Sequence, residues 1–76
     1  DRRDIEGLSA LISVADLADQ ARMDIFDAVA LIGDPTLEDR LVEFAKSTED
    51  EALKRAAWRA RRRSTRARAQ REEQRS

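Results

Sequence analysis

Apolar residues recur at helical spacing through the first two-thirds of the chain and almost vanish afterwards. Ile5, Leu8, Leu11 and Ile12 fall near one side of a helix, which predicts a first helix over residues 3–12. Val14, Leu17, Ala18, Ala21, Ile25, Ala28, Val29 and Ile32 repeat at three and four, which predicts a second that runs to Ile32. Ser13 stands where a cap would, with Asp16 three residues on. A heptad seam through Leu8, Leu11, Ala15, Ala18, Arg22, Ile25, Val29 and Ile32 gives the alternative of one unbroken helix over 3–32, with Arg22 as its ill-fitting member.

Met23, Phe26 and Ala30 form a second apolar strip on the second helix. A helix apolar on two sides is either central to its bundle or used for association. The strip is assigned to self-association, so a homo-oligomer or a subunit of a larger complex is expected.

The clearest punctuation follows. Gly33 suits the residue after a helix because it tolerates positive φ, Asp34 suits the next N-cap, and Pro35 suits the first helical position. The third helix is expected over 35–46, burying Leu37, Leu41, Phe44 and Ala45. Thr48 with Glu51 forms a capping box for a fourth. Alanine and arginine then favour helix to about residue 71, with Ser64 and Thr65 as its weak point and the last residues frayed. No alternating strand pattern occurs. The fold class predicted is all-α: a small helical bundle or hairpin with a protruding arginine-rich C-terminal helix. Residues 1–53 are read as an acidic body and 54–76 as a basic tail.

Charge sharpens this division. Residues 1–51 hold 14 acidic and 5 basic side chains, whereas 52–76 hold 2 acidic and 10 basic, so a formal net charge of −1 conceals two opposed halves. Such segregation points to a basic arm for an anionic partner. Nine Lys or Arg and no acid occupy residues 54–71. At 100° per residue, Leu53, Ala56, Ala57, Ala60, Ser64 and Ala67 share one side, able to pack on the body or on another copy. Arg55, Arg59, Arg62 and Arg66 lie opposite, flanked by Arg61, Arg63 and Arg68. Arginine forks suit phosphate groups. Trp58 sits among these arginines. Stacking on an unpaired base, anchoring a protein interface, or lying over the arginine stems and body are all open to it. Arg61, Arg62 and Ser64 also make an R-R-x-S pattern, which such a composition produces by chance.

Catalytic chemistry finds little support. The chain has neither histidine nor cysteine and only 2 glycines, which removes the common base, the soft-metal ligands and any glycine-rich phosphate loop. Asp16, Asp24 and Asp27 share a helix face, read as a solvated surface rather than a metal site or a dock for a basic partner. No cofactor is expected, no apolar run reaches the roughly 20 residues of a membrane span, and a cytoplasmic, non-enzymatic binding protein is anticipated. Two partners remain open: nucleic acid, DNA or RNA, for an accessory or regulatory protein; or an acidic protein surface, for an assembly factor, inhibitor or structural subunit.

Overall fold

The computed structural model describes residues 2–14 and 17–75. Four helices follow one another: α1 (Arg2–Ile12), α2 (Asp19–Ile32), α3 (Pro35–Ser47) and α4 (Glu51–Arg75). Among the described residues there is no strand, so the all-α expectation holds. Helices α2 and α3 each pack on both α1 and α4, which places α4 across the bundle from α1. With 25 residues, α4 is about 37 Å long. The molecule measures 41 × 25 × 19 Å, so α4 spans most of its long axis.

The boundary between α1 and α2 is real, and one unbroken helix is excluded. Its physical cause is Arg22, the residue that fits a continuous seam badly. The buried guanidinium donates from Nη1 to the Ile12 carbonyl at 3.1 Å and from Nη2 to the Val14 carbonyl at 2.8 Å. It lies 4.7 Å from the centroid of the Phe44 ring, a cation–π contact. Carbonyls at a helix end have no partner within the helix, and a cation there also complements the dipole. The start of α2 differs from expectation. It begins at Asp19, after Ala18 in extended conformation, and no side chain caps it. The Ser13 amide instead completes a turn on the Ala10 carbonyl. Asp16 and Ala15 lie outside the described residues.

Gly33 has φ 68° and ψ 44°, and its amide donates to the Val29 carbonyl at 3.2 Å. Asp34 accepts from the Thr36 and Leu37 amides at 2.8 and 3.3 Å, and Pro35 opens α3. This junction is the one the sequence marks. The fourth N-cap falls two residues later than predicted. Asp50, rather than Thr48, accepts from the amides of Ala52 at 2.9 Å and Leu53 at 3.2 Å. Thr48 ends α3 and accepts the Asp50 amide at 3.2 Å.

The core joins Ile12, Phe26, Val29, Leu37, Leu41, Ala45, Ala57 and Ala60. Phe26 meets Phe44 edge to face, with ring centroids 5.6 Å apart. Two core members come from α4, so the arginine-rich helix helps build the interior and projects less than its charge suggests. Alanine and serine on its inner side let its backbone approach closely. A Cβ placed on Gly33 would lie 3.4 Å from the Ser64 carbonyl oxygen. The second apolar strip of α2 is covered by this same packing. Phe26 is 2% exposed, Ala30 is 3% exposed, and Met23 is partly buried against the core. The strip needed a cover, and α4 of the same chain supplies it. The uncovered strip on which the expectation of self-association rests is thus absent at Phe26 and Ala30, and only Met23 keeps part of its surface open.

Candidate functional site

The arginines of α4 divide into those turned inward and those turned outward. The inward group begins with a polar knot around Glu38 of α3. Glu38 as a whole is 5% exposed. Ser64 Oγ donates to Oε2 and Thr65 Oγ1 to Oε1, both at 2.8 Å. Arg68 closes a two-pronged pair, Nε to Oε2 at 3.2 Å and Nη2 to Oε1 at 2.9 Å. Burial pushes the Glu38 carboxyl up. The hydrogen bonds from Arg68, Thr65 and Ser64, with the Arg68 charge, outweigh it and hold the group below its ordinary value. Ser64 and Thr65, the expected weak point of α4, are thus its docking groups.

Two further arginines tie α4 to α2. Arg63 donates to Asp27 at 2.9 Å. Arg71 places Nη1 2.6 Å from the Ile32 carbonyl and donates from Nη2 to the Leu31 carbonyl, closing the α2 C-terminus. Arg63 and Arg68, both expected in the binding face, are therefore engaged within the chain. Arg68 is fully committed to Glu38; Arg63 keeps half its side chain exposed.

Of the other arginines, Arg55, Arg59, Arg62 and Arg66 share one side of α4, and Arg61 lies off it beside Trp58. All four are exposed, and among the described residues no ion pair neutralises them. Their spacing sets them along the ridge of α4 opposite Ala57, Ala60 and Ser64, over about 16 Å of helix axis. Lys54, near the start of the ridge, pairs with Glu51 at 3.4 Å. Trp58 borders the ridge. Its ring packs partly on the core, and the Arg61 guanidinium lies 5.8 Å from its centroid. The arrangement matches the reading in which the indole lies over an arginine stem and the body.

A shallow groove runs beside the ridge, between α4 and α2. It encloses about 370 Å³, with Met23, Phe26 and Ala56 in its floor and Arg55 and Arg59 on its lip. Of the acidic face expected on α2, Asp24 accepts from Gln20 at 3.1 Å and Asp27 holds Arg63, while Asp16 lies outside the described residues. Among the described residues no group of three or more acidic side chains is placed to hold a metal ion. No described helix is long and apolar enough to cross a membrane. No family model, curated protein or solved structure matches this chain.

Proposed function

We propose that this protein binds polyanionic nucleic acid through the outer ridge of α4, as a non-enzymatic accessory or regulatory protein. The observation that supports this most is the sorting of arginines on one helix. Those facing inward find a carboxylate or carbonyl, whereas Arg55, Arg59, Arg62 and Arg66 share an exposed ridge with no ion pair among the described residues. Four like charges along about 16 Å repel one another and gain by meeting a line of phosphates. Guanidinium groups bind phosphate oxygens two at a time, while the ridge lacks acceptors for a cationic partner.

The test is a titration with duplex and single-stranded oligonucleotides over a salt series. If all four arginines contact phosphates, log K falls with log salt at a slope of about −3.6 for duplex and about −2.8 for single strands. A flat salt dependence, or no binding at low salt, rejects the reading and leaves an acidic protein surface as the partner of the ridge.

A further inference from the structure

The groove between α2 and α4 shares two residues with the ridge. Arg55 and Arg59 stand on its lip, and they also begin the line that continues through Arg62 and Arg66. The floor is apolar. Met23 and Ala56 are half-buried there, and the buried Phe26 closes the bottom. At its mouth lies the Asp27–Arg63 pair, 2.9 Å between charged atoms and more than half open to solvent on the Asp27 side. A ligand that fits all three features carries anionic groups along one edge. It also carries a flat apolar surface, and a polar rim with both donors and acceptors.

We propose that the nucleic acid held by the ridge is single-stranded, with one unpaired base seated in this groove. The proposal rests on the phosphate-binding reading of the ridge and adds which form of nucleic acid it takes. A phosphate held by Arg55 and Arg59 brings its own nucleoside to the groove, because those two residues form both surfaces. The base faces meet Met23 and Ala56. The base edge meets Asp27, which accepts from ring N–H or exocyclic amino groups, and Arg63, which donates to carbonyl oxygens. A duplex has no use for the groove, since its base faces are stacked and its edges paired. An acidic peptide would place a carboxylate near Asp27 and be repelled there. The groove volume of about 370 Å³ exceeds that of any single base and leaves the site open to all four.

The experiment compares three ligands of equal phosphate number by fluorescence anisotropy at one salt concentration: oligothymidylate, an abasic strand and a duplex. The full chain is used, beside Ala56→Leu, which fills the groove floor without touching the ridge. Oligothymidylate is expected to bind about tenfold more tightly than the abasic strand. In Ala56→Leu that preference falls to within about twofold, while the salt slope and the abasic affinity stay unchanged, because stacking releases no counterions. Equal affinity for the abasic strand overturns the proposal without needing the variant. So does a duplex that binds as tightly as oligothymidylate, or a preference that survives in a folded Ala56→Leu. These results leave the ridge reading intact. Failure of all three ligands to bind removes the ridge reading as well.

Discussion

Glu38 draws three side chains of α4 onto one buried carboxylate of α3. Replacing it with Gln keeps its size but removes the charge that Arg68, Ser64 and Thr65 address. Hydrogen bonds to a charged group contribute about 1.5–3 kcal/mol. Glu38→Gln should therefore lower stability by about 2 kcal/mol, read as a fall of roughly 8–16 °C in Tm by circular dichroism. An unchanged Tm would show that the knot contributes nothing net. Acid should act in the same direction. The folded-state pKa of Glu38 is lowered, so its contribution is complete above the ordinary carboxylate value of 4.5. It is lost as pH falls through that value and on through the lowered one. The stability difference between wild type and Glu38→Gln should shrink over that acid window. A difference independent of pH there would contradict the assignment. The knot was hard to read from sequence. Glu38 looks like any solvated glutamate in the first turn of a helix, and Ser64–Thr65 look like poor helix formers. The signal that points to them is polar chemistry at 64, 65 and 68 on the inner side of α4. Arg22 was similarly half-legible: its misfit in the heptad seam is visible, but the carbonyls that receive it become apparent only once α1 ends at Ile12.

At the scale of elements, the local code is strong where backbone geometry is at stake. Gly33, Asp34 and Pro35 specify a helix end, a cap and a helix start in succession, and each takes that role. Gly33→Ala should cost about 1–2 kcal/mol, because a side chain at φ 68° is disfavoured and the new Cβ sits against the Ser64 carbonyl and Arg68 amide of α4. Thermal melting checks this; a neutral outcome would mean that the α2–α3 turn adapts. Caps set by side chains competing over a few positions were less legible. Thr48 and Asp50 both carry acceptors near the start of α4, and the helix uses the second. The late start of α2 has no side-chain cap, and Arg22 in its first turn reaches back to the Ile12 and Val14 carbonyls.

On the scale of the whole molecule, the least apolar helix completes the core. Hydropathy alone assigns the interior to residues 5–53, because Ala57, Ala60 and Ser64 carry little apolar surface. What they offer is the absence of bulk, which lets α4 lie close enough to cover Phe26 and Ala30. A fragment of residues 1–53 should therefore lose cooperative unfolding and bind a hydrophobic dye, since it exposes that strip and strands Glu38 without partners. A fragment with a sharp melt and no dye binding would show that the acidic helices are self-sufficient. Docking also accounts for the two roles of arginine on one helix. Arg63, Arg68 and Arg71 hold the bundle together, and Arg55, Arg59, Arg62 and Arg66 form the ridge to which the proposed function assigns the ligand. The most direct test of that division is the affinity for single-stranded oligonucleotide at low salt of a variant with Arg55, Arg59, Arg62 and Arg66 all changed to Gln. All four positions are exposed and glutamine is a good helix former, so the fold should persist. The account predicts wild-type stability with binding reduced at least about a hundredfold and the salt dependence gone. A folded variant that still binds with the wild-type salt slope would contradict it.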